Sequence, residues 1–122
     1  MNTKILGRQG EDIAAGVLRK SGYKILARNF RVPVGELDLV AQDGEVIVFV
    51  EVKTRRGNRC GTPGQSVDWR KQQKLLRAAE WYLQQNRMDG ESCRFDVMEV
   101  YIYSETHWDV RQIKGAFEAG RR

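Results

Sequence analysis

The sequence predicts an α/β domain in which a mixed sheet is flanked by helices in the order αβββαββ. Three observations predict it: apolar residues at helical spacing in two segments, β-rich runs between and after them, and an Asp-Gly turn signal joining two of those runs. At 122 residues the chain is read as a single domain, 1–122, with one sizeable core.

From about Gly7 to Ser21, the residues Leu6, Gly10, Ile13, Ala14 and Val17 recur at helical spacing, and Gly22 is placed as a C-cap. This predicts a first amphipathic helix. The run "YKILARNFRV" then reads as a strand, and "ELDLVAQDGEVIVFVEV" as two more, joined at Asp43-Gly44. Thr54 to Ser66, "TRRGNRCGTPGQS", is rich in Gly and Arg and without periodicity, so a loop is expected there. A second helix is predicted over about Val67 to Asn86, with Gln72, Leu75, Leu76, Ala79, Tyr82 and Leu83 on one face. "CRFDVMEVYIY" and "HWDVRQI" supply the last two strands, separated by a turn at Ser104 to Thr106.

Composition narrows the chemistry. Twenty-one Lys+Arg against 16 Asp+Glu give a net charge of +5, which favours polyanionic partners. The start "MNTKILGRQGEDIAAG" holds no long apolar stretch and no run reaches spanning length, so a cytoplasmic protein with no membrane partner is expected. Cys60 and Cys93 fall in no metal-ligand spacing and read as reduced thiols. His107 is the only histidine, which excludes a site built on several. Any catalysis must therefore use carboxylates and lysine.

The predicted hairpin concentrates such groups. With Asp43-Gly44 as a two-residue loop, Gln42 pairs with Glu45, Val40 faces Ile47, Asp38 faces Phe49 and Glu36 faces Glu51. Alternation then places Glu36, Asp38, Glu51 and Lys53 on one face, and Leu37, Leu39, Val48, Val50 and Val52 on the other. Opposed carboxylates repel unless a cation lies between them. Asp38 and Glu51 would offer hard oxygens, and the Val52 main-chain carbonyl another, to Mg²⁺ or Mn²⁺. Lys53 could orient an attacking water or stabilise charge on a phosphate oxygen. A Glu-x-Lys triplet arises by chance about 0.4 times in a chain this long, so the combination, not "EVK" alone, carries the reading.

Between Thr54 and Arg77 the cations Arg55, Arg56, Arg59, Arg70, Lys71, Lys74 and Arg77 accompany a single acid, Asp68. Arg55, Arg56 and Lys71 are the foremost candidates for phosphate contact, with Arg70 and Lys74 behind them. Lys71 lies at the edge of the apolar stripe, from which it could reach the carboxylates. Arg70, Lys74, Arg77 and Trp81 form one stripe opposite the apolar face, and Trp81 is expected half buried against a neighbouring element. Asp96 reads as structural.

Asp38 followed by Glu51-Val52-Lys53 resembles the PD-(D/E)xK nuclease superfamily. "GRQGEDIAAGVLRKSGYKILARNFR", "GELDLVA", "VFVEVKTR", "VDWRKQQKLLRAAEWYL" and "RFDVMEV" together resemble the YraN-like family of bacterial proteins, taken to be endonucleases. The resemblance covers nearly the whole chain. It implies a restriction-endonuclease-like fold, related to archaeal Holliday junction resolvases, and a Mg²⁺- or Mn²⁺-dependent endonuclease acting on nucleic acid, DNA foremost and branched DNA among its forms. Small nucleases of this fold often pair, so a homodimer is implied. In the resolvases a glutamate of the N-terminal helix joins the metal site, and Glu11 matches that position. Here Gly35 and Leu37 flank Glu36 in place of a Pro-Asp pair, so Asp38 maps cleanly and Glu36 does not. Glu11 and Glu36 are thus auxiliary catalytic candidates beside Asp38, Glu51 and Lys53. The alternative is a non-catalytic nucleic-acid-binding adaptor on the same scaffold. A third reading is a protein-interaction module using Trp69 and Trp81.

Overall fold

The computed structural model describes residues 3–57 and 67–117. The element order is α1 (Thr3–Lys20), β1 (Lys24–Val32), β2 (Gly35–Asp43), β3 (Val46–Arg56), α2 (Trp69–Gln85), β4 (Ser92–Ile102) and β5 (Trp108–Phe117). This is the expected αβββαββ order, and it is consistent with a restriction-endonuclease-like fold. The expected features at Arg59, Cys60 and Pro63 lie outside the described residues.

The five strands form one sheet in the order β1-β2-β3-β4-β5. The β3–β4 pair is parallel, with α2 as its crossover, and the other neighbours are antiparallel. A helix lies on each face. On one side Ala14, Ala15 and Leu18 of α1 pack on Leu39, Ala41, Val48, Val50, Met98 and Val100. On the other, Leu75, Ala78, Ala79 and Tyr82 of α2 pack on Val40, Ile47, Phe49, Phe95 and Val97. The strands in the middle are therefore apolar on both faces, as a sheet covered twice requires.

The helices seat closely because of small residues. A Cβ added at Gly10 would overlap Thr54 Oγ1 and lie 2.9 Å from Thr54 Cβ. We expect Gly10→Leu to push α1 off β3 and destabilise the fold by about 1–3 kcal/mol, read as a fall in the thermal midpoint. Asp68 caps α2, its side chain accepting from the Lys71 N–H at 2.8 Å.

Three expectations are corrected. The hairpin loop is Gly44-Glu45, not Asp43-Gly44: Asp43 pairs with Val46, Gln42 with Ile47 and Val40 with Phe49. Gly44 takes φ +61° at the first loop position, a geometry open to glycine, which spares Asp43 a left-handed backbone. Alternation also breaks within β2, because Leu37 joins the α2-side core while Leu39 joins the α1-side core. Asn29, between the pairs Arg28–Leu39 and Phe30–Leu37, has φ +53°, so the irregularity is shared with β1. Finally, β3 runs on through Thr54, Arg55 and Arg56, which were expected in the loop. They pair in unbroken register with β4 as far as Arg56–Ile102, and the ladder together with β-branched Thr54 carries the two arginines along.

Buried Asp96 is structural. It accepts from Arg94 at 2.9 and 3.1 Å, from Gln112 Nε2 at 3.0 Å and from the Gly115 N–H at 3.0 Å, tying β4 to β5 at the irregularity between Phe95 and Val97.

Candidate active site

The break in β2 creates the site. The β2–β3 pairing extends to Leu39–Val50, and one step further the Asp38 side chain, not a main-chain carbonyl, meets β3: the Val52 N–H donates to Asp38 Oδ2 at 2.8 Å. The slipped register brings Asp38, rather than Glu36, beside Glu51. The two carboxyls share a hydrogen bond, and burial, followed by this contact and the Glu51 charge, pushes the Asp38 pKa up to about 8.

The main-chain N–H and C=O of one strand residue leave on the same side. The Val52 carbonyl therefore opens toward Asp38, where the β2 ladder has ended. Two carboxylates and a carbonyl, all hard oxygens, suit Mg²⁺ or Mn²⁺ completed by water. Among the described residues no three His, Cys, Asp or Glu side chains gather closely enough to hold a metal by themselves.

Glu51 and Lys53 face the α2 side of β3. They line a cleft of about 310 Å³ with Val67, Asp68 and Lys71. Lys71 Nζ lies 3.2 Å from Glu51 Oε2, so this lysine does reach over the sheet to the carboxylates. Glu51 is the more enclosed partner, its side chain 11% exposed against 50% for Lys71.

Glu11 approaches from α1. Burial raises its pKa, while a hydrogen bond from the Asn29 side chain and the Arg28 charge oppose the rise. Arg28 also pairs with Asp12, fastening α1 to β1 beside the break. The Glu11 charge in turn contributes to the rise at Asp38. Glu36 stands directly across from Arg31 and pairs with it at 3.5 Å, so it does not oppose Glu51 as the expected register required.

Strand alternation places Arg55 on the face of Glu51 and Lys53, and Arg56 on the opposite face. Arg70, Lys74, Arg77 and Trp81 are all exposed along α2, Trp81 retaining 44% of its surface. Trp69, at the start of α2, is 72% exposed. Two features escaped the sequence reading. Asn29 supplies a side chain to Glu11, and its one available signal was an asparagine, a residue tolerant of left-handed backbone, inside a β-rich run. Glu99 is buried beside Lys53 in the β3–β4 ladder, and no spacing pointed to it.

No helix among the described residues is long and apolar enough to cross a membrane. The model of the uncharacterised protein family UPF0102 matches residues 10–100. A UPF0102 protein of Syntrophotalea carbinolica is 52% identical over 113 residues, covering 93% of this chain and 91% of its own length. One from Symbiobacterium thermophilum is 51% identical, covering 93% of this chain and 97% of its own. One from Moorella thermoacetica is 49% identical, covering 96% and 98%.

Proposed function

We propose that this chain, which belongs to the uncharacterised protein family UPF0102, is a metal-dependent endonuclease that hydrolyses phosphodiester bonds of nucleic acid, with DNA as the substrate. The observation that carries this reading is the forced meeting of Asp38 and Glu51 at the end of the β2–β3 ladder, with Lys53 and Lys71 in the adjoining cleft. A buried carboxyl pressed against a second carboxyl is poorly arranged for stability alone and well arranged to hold a divalent cation. The likeness of Asp38, Glu51 and Lys53 to the PD-(D/E)xK set supports the same reading.

Asp38, Glu51 and the Val52 carbonyl would hold Mg²⁺ or Mn²⁺, whose charge offsets that of the phosphate and favours ionisation of water. In the reaction a water oxygen bonds to phosphorus as the bond from phosphorus to a sugar oxygen breaks; the water gives up a proton, and the departing sugar oxygen takes one up from solvent. Lys53, on the cleft wall, orients the incoming water or donates to a non-bridging phosphate oxygen. Lys71, on a half-exposed and flexible stem, pairs with Glu51 and can turn to the substrate phosphate. Arg55, on the same face, extends the cationic track, and the exposed cations Arg70 and Lys74 continue it along α2. The net charge of +5 favours such a partner.

The test is cleavage of labelled single-stranded, duplex, flapped and four-way-junction DNA in Mg²⁺ or Mn²⁺, with Glu51→Ala beside wild type. Cutting by wild type alone is expected. Salt-sensitive binding by both proteins without cutting would instead identify a non-catalytic adaptor that docks through the exposed α2 row.

A further inference from the structure

All three tryptophans of the chain are exposed, and two of them stand on α2. Trp69 keeps 72% of its surface in solvent and Trp81 44%, although a large aromatic side chain gains much from burial. The cations of the same helix are as poorly explained by stability. Arg70 and Lys71 stand in the first turn, at the positive end of the helix dipole, and the last turn holds no basic residue. Arg70 and Lys74 are four places apart and Lys74 and Arg77 three, so like charges are neighbours, and Glu80 is the one acid of the helix. The row begins at the candidate site. Lys71, whose ammonium lies 3.2 Å from Glu51, is next to Arg70 and three places from Lys74. Trp69 follows Asp68, which lines the cleft and caps the helix, and Val67 before it is buried, so the backbone carrying this indole is fixed.

We propose that the solvent face of α2 binds an unpaired nucleic-acid strand, with Trp69 and Trp81 stacking on bases and Arg70, Lys74 and Arg77 holding phosphates between them. The cleft then acts where single-stranded DNA meets it. Indoles and cations together match the two chemistries of a single strand, the faces of its bases and its charged backbone. In a duplex both faces of each base are covered by its neighbours, so an exposed indole gains a stacking partner there only by unstacking the helix. An unpaired base offers its face without that cost. A protein partner fits less well, because the centre of a protein interface is poor in lysine. Twelve residues separate the two indoles, about 18 Å along the axis, or roughly five nucleotides at stacked spacing. The strand track stands on α2 alone, and its part in choosing the substrate rests on the nuclease reading above.

Binding without metal, where nothing is cut, tests the track with a labelled oligothymidine and a blunt hairpin duplex of equal phosphate number. Wild type should hold the oligothymidine more tightly, with quenching of its tryptophan emission. Trp69→Ala and Trp81→Ala should each weaken that binding about 10-fold and leave duplex binding unchanged. Trp108→Ala, on β5, should change neither, and Lys74→Ala should weaken both and lower the salt slope by about one. These side chains are exposed or at the surface, so thermal melts should show every variant folded. Equal losses on both ligands, no loss, or a wild-type preference for duplex would overturn the proposal. So would a dimer in solution that Trp81→Ala takes apart, since the face would then be a subunit contact. In the cleavage panel wild type should favour single-stranded and flapped DNA over continuous duplex, and Trp81→Ala should erase the preference. Tryptophan-dependent binding with no cutting would keep the track and remove the nuclease, whereas duplex cutting that neither tryptophan affects would do the reverse.

Discussion

Asp38→Asn should abolish metal-dependent cleavage while making the metal-free protein more stable above pH 8. Asparagine keeps an oxygen to accept the Val52 N–H and gains an amide that can donate to Glu51, so the break in β2 remains bridged. What it loses is the anionic oxygen for a cation, and the rate should fall by at least about 10²–10³-fold, the scale of losing one electrostatic stabiliser. The stability effect has the opposite sign. The Asp38 pKa rises from 3.8 unfolded to about 8 in the fold, so the native state retains a proton that the unfolded chain has released. The stabilisation is full below about pH 4 and lost as pH climbs through 8. A difference on the order of 3 kcal/mol is expected between pH 5 and pH 9. Thermal melts of wild type and Asp38→Asn across this range, with and without Mn²⁺, check both halves. The wild-type midpoint should fall toward pH 9 without metal and recover with it, and the variant should show neither change. A flat wild-type profile, or an equal response to Mn²⁺ in the variant, would remove the proposed pair.

The second large effect concerns Asp96, an acid outside the site. Arg94→Leu should destabilise the protein by about 3 kcal/mol, or roughly 10–15 °C in the thermal midpoint, by leaving a buried carboxylate without its cation. The figure is at the lower end for breaking a buried pair because Gln112 and Gly115 still donate to Asp96. Arg94 also donates to the Tyr23 hydroxyl at 2.8 Å, and its own pKa is raised by the Asp96 hydrogen bond. Cleavage per folded molecule should be unchanged at a temperature where the variant is native. A parallel loss of cleavage would bring Asp96 into the site, contrary to its placement at the β4–β5 junction.

How much was legible beforehand differs between elements and contacts. The stripe Leu6, Gly10, Ile13, Ala14 and Val17 located α1, and the alternating run up to Lys53 located β2 and β3, because periodicity is a local property of the chain. Lys71 at the margin of its helix was readable for the same reason, and the structure brings it to Glu51. The hairpin partners were not: Asp-Gly fits the loop one residue to either side, and the two registers keep the same faces, since Ile47 and Phe49 both share a core with Val40. Asn29 acquires meaning only from a neighbour distant in sequence, Glu11 on α1.

By itself, then, the sequence determined the order of helices and strands, the family, and the residue types available for chemistry, since each follows from local pattern and composition. Only the tertiary structure decided that Asp38 rather than Glu36 meets Glu51. Strand register is set jointly by turn geometry and by the cores on both faces of the sheet, and neither is written in any one segment.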